Sequence, residues 1–140
     1  MFVTALLLYG CKDNKAQGFI IEKDSPVVNQ EGILIESVGI ETLGGVFTPL
    51  IQSGDKQPVS ISKIFSTAAD NQNQIMLRIY RGNGKMVNDV TSLGNYQVTG
   101  IPKVPRGVPQ IEITFSVAGS EIKIFAKDLK TNKEISIIKI

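Results

Sequence analysis

The side chains that could do chemistry are few. The 140-residue chain contains no histidine and one cysteine, Cys11. Histidine triads, histidine general bases and the common zinc sites therefore have no members to build them. A single thiol cannot close an internal disulfide, and one thiolate does not make a metal site. Asp70 beside Asn71, and Asp128 near the end, supply carboxylates. These residue types also turn a chain through local hydrogen bonds, and nothing nearby offers a nucleophile with a base and an orienting partner. The stretch "RGNGK", Arg81 to Lys85, has the glycines and lysine of a phosphate cradle but lacks its spacing and following helix, so it reads as a hairpin turn. The expectation is a protein that is not an enzyme, holding no metal and no cofactor.

Recognition is the chemistry that remains, and its clearest trace is "KIFSTAADNQNQIMLRIY", Lys63 to Tyr80. Two apolar, strand-like runs flank a polar tip. An ordinary hairpin would close that gap with two or three residues and a glycine, whereas this one uses the longer, glycine-free "TAADNQNQ". Small Ala68 and Ala69 near bulky Phe65 suggest a loop shaped to cover something.

Cys11 has a different context. It follows "FVTALLLYG", an apolar run too short to span a bilayer as a helix, which takes about 20 residues, but of signal-peptide length. With Leu8 three residues before the cysteine and Gly10 just before it, the segment resembles a bacterial lipoprotein signal, in which the cysteine carries lipid. Tyr9 is bulkier than usual there, and no Lys or Arg precedes the run. The alternative is an N-terminal segment with a buried free thiol. Residues 1–11 are thus expected as a signal-like segment with Cys11 as the lipidation site, and residues 12–31, rich in charge, Asn, Gln, Gly and Pro, as a polar tether. Lipidation would place the chain at a bacterial envelope; without it, a cytoplasmic location is expected.

The elements that must position the loop come from the rest of the chain, residues 32–140. "PQIEITFSV" sets Ile111, Ile113, Phe115 and Val117 on one face against Glu112, Thr114 and Ser116 on the other. "EIKIFAKD", "PVSISKIF" and "QIMLRIY" repeat the alternation, and turn signals fall at "RGNGK", "AGS" and "KTNK". About eight such strands and no helix argue for an all-β, antiparallel β-sandwich. Fifteen Lys and Arg against thirteen Asp and Glu, scattered singly, give neither a nucleic-acid footprint nor a polybasic membrane patch.

Two further segments break the pattern. "GIETLGGVFTPL" sets two glycines inside an apolar stretch, so the backbone must turn sharply or admit another chain closely. "GIPKVPRGVPQI" packs three prolines and two glycines into a rigid connector. In these segments, with "FSTAADNQ" and "AKDLKTNKEISI", the chain from about Val38 to Ile140 resembles the β-sandwich substrate-binding domain of the seventy-kilodalton heat-shock chaperones, the family of bacterial DnaK.

That resemblance implies a channel between two loops that holds extended apolar segments of unfolded polypeptides. Thr42 would bond the peptide backbone, and Leu43 and Ala68 would form an arch over it. Ser66 and Gln72 would present backbone, and Ile40, Phe65, Ile75, Leu77 and Ile111 would line a pocket for a Leu- or Ile-like side chain. By alternation alone the same aliphatic residues are sandwich core. Arg106 matches the residue that latches a helical lid in the family. The family's ATPase domain and lid have no counterpart in the sequence, and "EGILIES" replaces the family's apolar linker, so nucleotide would enter only through a separate ATPase partner. The expected role is therefore a chaperone-like holdase. The competing readings are a structural domain that self-associates through its pocket or strand edges, or a chaperone fragment without peptide binding.

Overall fold

Apolar and polar side chains that alternate along a strand need two apolar faces brought together, and the chain meets this with two sheets. In the computed structural model, which describes residues 19–22, 28–118 and 121–140, the strands in chain order are β1 (Phe19–Glu22), β2 (Ser37–Thr42), β3 (Val46–Ile51), β4 (Val59–Phe65), β5 (Gln74–Gly82), β6 (Thr91–Thr99), β7 (Ile111–Ala118), β8 (Glu121–Asp128), β9 (Lys133–Glu134) and β10 (Ile137–Lys139). One sheet runs β1-β8-β7-β4, with β9 also on β8, and the other runs β10-β6-β5-β2-β3. All pairings are antiparallel. The all-β sandwich expected from the sequence is the fold observed.

The inner faces meet in one core. Ile111, Ile113, Phe115 and Val117 of β7 and Ile122, Ile124 and Ala126 of β8 pack with Val38, Ile75, Leu77, Ile79, Tyr96 and Val98 of the other sheet. Each buried side chain of Val, Ile or Phe size contributes about 1.5–3 kcal/mol. Tyr96 enters this core at no polar penalty because its hydroxyl donates to Leu93 O at 2.8 Å.

At two strands the chain departs from a plain alternating sandwich. Residues 19–22, inside the stretch expected as a tether, form β1 on the free edge of β8, and Ile21 packs against the core. The run "FIIE" is too short to declare itself as a strand; the edge it covers is supplied by residues a hundred positions later. Cys11 and the whole 1–11 segment lie outside the described residues. On edge strand β4, Lys63 occupies the core-facing row between Ile61 and Phe65, opposite Ile113, yet is exposed. An inward-row charge on an edge strand discourages another chain from pairing there.

Candidate functional site

The geometry of interest begins where two strands part. β2 and β5 pair from Ser37 with Gly82 to Ile40 with Ile79, and the pairing stops there. β2 continues to Thr42, while Gln74 to Arg78 of β5 pair only with β6. Beyond the fork the facing edges of β2 and β5 are therefore unpaired. Next to the fork Ile40 and Ile75 are 8% exposed and Leu77 3%, so all three side chains are largely buried. Phe65 of the opposite sheet is half-buried and pairs with Ile111, which is wholly enclosed. The five aliphatic and aromatic residues expected around a pocket thus belong to or pack against one cluster. Ile40, Ile75, Leu77 and Ile111 are members of the sandwich core, as alternation alone expects, and Phe65 packs half-buried against it.

The fork is stitched on its outer side. Tyr80 Oη donates to Glu41 Oε1 at 3.2 Å, and Arg78 Nη1 lies 3.9 Å from the same oxygen. Burial raises the Tyr80 pKa above its ordinary value, the hydrogen bond and charge of Glu41 raise it further, and Arg78 opposes them.

Beside the fork stands the β2–β3 hairpin. Its turn, Leu43-Gly44-Gly45, closes with Gly45 N donating to Thr42 O at 3.2 Å, and both glycines have left-handed backbones (φ +87° and +74°). A β-carbon is disfavoured at such angles. The hairpin is braced from behind by the β5–β6 connection: Val87 N donates to Gly45 O and Phe47 N to Lys85 O, each at 2.9 Å. Thr42 and Thr48 hydroxyls meet at 2.8 Å. At the apex stands Leu43, 99% exposed. A large aliphatic side chain held fully in water on a braced turn gains nothing from the fold that carries it.

The second loop at this end of the sandwich joins β4 to β5 and is held without a single glycine. Asn71 takes the left-handed conformation (φ +62°) and donates its N–H to Val104 O at 3.0 Å. The Gln72 side chain acts as a staple: Oε1 accepts from Ala68 N at 3.0 Å and Ala69 N at 3.2 Å, and Nε2 donates to Gln74 O at 2.7 Å. The proline-rich connector backs the loop throughout. Ser66 Oγ donates to Pro109 O at 2.6 Å, Gly107 N donates to Thr67 O at 3.1 Å, Arg106 N donates to Asp70 Oδ1 at 3.0 Å, and Ile101 N donates to Asn73 O at 3.1 Å. Ala68 and Ala69 are left exposed on a rigid mount.

The structure brings Ile40, Thr42, Leu43, Phe65, Ser66, Ala68, Gln72, Ile75 and Leu77 to the loop end of the sandwich, with Ile111 below and Arg106 exposed on the backing connector. Gln72, expected for its backbone, also serves the loop with its side chain. Sequence reasoning missed the ties that Asp70, Asn71 and Thr67 make to the connector, and the Tyr80–Glu41–Arg78 stitch. An Asx-rich tip was the available signal for the first two. Separately, a shallow groove of about 180 Å³ lies on the outer face of β7, β8 and β9, lined by Glu112, Thr114, Phe125, Ala126, Lys127 and Glu134.

Comparison with known proteins agrees with this architecture. Residues 27–139 match the family model described as Hsp70 protein. The chain is 53% identical over 102 residues to the Chaperone protein DnaK of Methanothermobacter thermautotrophicus, covering 72% of this chain and 17% of that protein. It is 53% identical over 102 residues to the Chaperone protein DnaK of Ureaplasma parvum and 50% identical over 102 residues to that of Mycoplasmopsis synoviae, with the same coverage of 72% and 17%. The matched stretch is thus about a sixth of the length of these relatives (17%).

Proposed function

The chain belongs to the Hsp70 family, and from that premise we propose that it serves a chaperone-type role by holding extended apolar segments of unfolded polypeptides between its two loops. The observation that carries the reading is Leu43, an aliphatic side chain 99% exposed on a doubly braced turn beside the opening of the β2–β5 fork. Leu43 and Ala68 would close over a bound backbone. Thr42, Ser66 and Gln72 would hydrogen-bond that backbone without regard to its sequence, as in strand-like peptide capture. Ile40, Phe65 and Ile75, over Leu77 and Ile111, would take one Leu- or Ile-like side chain.

Burial of such a side chain contributes about 1.5–3 kcal/mol, and ordering the peptide removes part of it. Modest affinity and broad selectivity follow. The small side chains of Ala68 and Ala69 then have a physical reason: anything larger would fill the space that the guest backbone needs. No bond is made or broken, and the binding step uses no cofactor.

Amide hydrogen exchange tests the residue assignment. Added Leu-centred heptapeptide should slow exchange at Thr42, Ser66 and Gln72 while leaving β7 and β8 unchanged. Protection confined to the outer face of β7 to β9 would assign binding to the shallow groove instead.

A further inference from the structure

One dipeptide of this chain has the chemistry to modify itself. Asn83-Gly84 is the sole asparagine followed by glycine in the 140 residues. It lies on the bend that leaves β5, with Asn83 exposed and neither residue in a strand. The side-chain carbonyl carbon of an asparagine is open to attack by the backbone nitrogen of the next residue, and a glycine there puts no β-carbon in the way of the approach. The attacking group in this chain, Gly84 N–H, has no hydrogen-bond partner among the described residues.

The same asparagine has a structural duty. Asn83 Nδ2 donates to Ile35 O at 3.0 Å across 48 residues of sequence, tying the start of the β5–β6 connection to the segment that enters β2. The connection then braces the β2–β3 hairpin through Phe47 N to Lys85 O, Val87 N to Gly45 O and the bridge between Val46 and Met86. It is closely folded on itself: a β-carbon on Gly84 would stand 2.5 Å from Asp89 Cβ. A carboxylate at position 83 could only accept hydrogen bonds, so it would turn the attraction to Ile35 O into a repulsion.

We propose that Asn83 is a deamidation site whose modification loosens the brace behind the β2–β3 hairpin. Gly84 N gives up its proton to solvent base and bonds to Asn83 Cγ; the Cγ–Nδ2 bond breaks, and the nitrogen leaves as ammonia after taking a proton from water. A second water opens the five-membered succinimide. Attack at Cγ leaves aspartate, and attack at the backbone carbonyl carbon of residue 83 leaves isoaspartate, with an extra methylene in the main chain. The net reaction turns amide and water into carboxylate and ammonium, and nothing is oxidised or reduced. Nδ2 must release Ile35 O before Cγ can turn to Gly84, so the tie that the reaction destroys also sets its pace. The inference stands on the braced turn alone, whether or not a peptide is held.

The test incubates the full chain in mildly alkaline water enriched in heavy oxygen, folded and in urea. Asn83→Gln, whose six-membered closure is slower, is the blocked control, and Asn83→Asp supplies the product directly. Peptide mass mapping should find the first labelled carboxylate of the folded chain at residue 83, as mixed aspartate and isoaspartate, forming more slowly than in urea and absent from Asn83→Gln. Amide exchange at Phe47 and Val87 should run about two- to tenfold faster in Asn83→Asp than in the wild type, the worth of one hydrogen bond, while β7 and β8 keep their protection. A folded chain that stays unlabelled at residue 83, or that is labelled first at another asparagine, would overturn the site. Exchange at Phe47 and Val87 that is unaltered in Asn83→Asp, or quickened equally with β7 and β8, would overturn its effect on the brace.

Discussion

The backbone N–H of Arg106 donates to the Asp70 carboxylate at 3.0 Å across 36 residues of sequence. That contact joins the tip of the β4–β5 loop to the proline-rich connector, and it is flanked by bonds from Asn71 N to Val104 O and from Gly107 N to Thr67 O. A glycine-free loop of this length keeps one shape because a second loop, itself stiffened by three prolines, stands behind it.

Asp70→Ala should therefore loosen the loop locally more than it destabilises the sandwich. The loss is about 0.5–1.5 kcal/mol, in keeping with one hydrogen bond at an exposed site. Hydrogen exchange should quicken at Asn71, Arg106 and Gly107 while the β7 and β8 amides keep their protection. Equal acceleration everywhere would mean that the tie supports the whole fold.

Gln72→Leu removes the staple but not the backbone. Ala68 N and Ala69 N lose their acceptor, and Gln74 O loses its donor. Peptide affinity should fall several-fold, with a shift in the urea midpoint corresponding to about 1 kcal/mol or less. Unchanged affinity would show that the loop does not need its staple to hold a guest.

Gly39→Ala should be among the most damaging single changes. A β-carbon there would stand 2.1 Å from Thr48 O and 2.7 Å from Pro49 Cα, where β3 bulges across β2. Both are backbone atoms, so relief requires moving β3 itself. A loss of about 3 kcal/mol or more is expected in urea unfolding.

Tyr80 contributes an alkaline limb to stability. Its pKa is raised in the folded state by burial and by Glu41, so the folded protein retains a proton that the unfolded chain gives up. That contribution is whole below pH 10, about the unfolded value, and is lost as pH rises towards the folded one. Tyr80→Phe should flatten the fall in stability above about pH 10, measured by urea midpoints across the range. An unaltered slope would place the loss on other groups.

The parts of this molecule legible in the sequence are those whose physics is local. Ile111 to Val117 alternate in the sequence and alternate in burial, and the glycines at 44 and 45 signal a turn that the φ values realise. What stayed hidden depends on partners remote in sequence. "FIIE" becomes a strand because the β8 edge is free to receive it, and Gln72 is a staple because three backbone groups converge on it. The β2–β5 fork is invisible from either strand alone, since its position is set by where pairing stops, between Ile40 and Thr42.

The most direct test of the clasp is an anisotropy titration of a labelled, Leu-centred heptapeptide into the full chain, the Ile75→Phe variant and the Leu43→Asp variant. The phenyl ring of the first would fill the pocket. Leu43 is fully exposed, so the second leaves the core untouched while putting a charge over the guest; matched urea midpoints check that both variants fold. Saturable binding by the wild type that is lost in Ile75→Phe and weakened in Leu43→Asp is the predicted result. A well-folded wild type that does not bind, or binding indifferent to both changes, would contradict it.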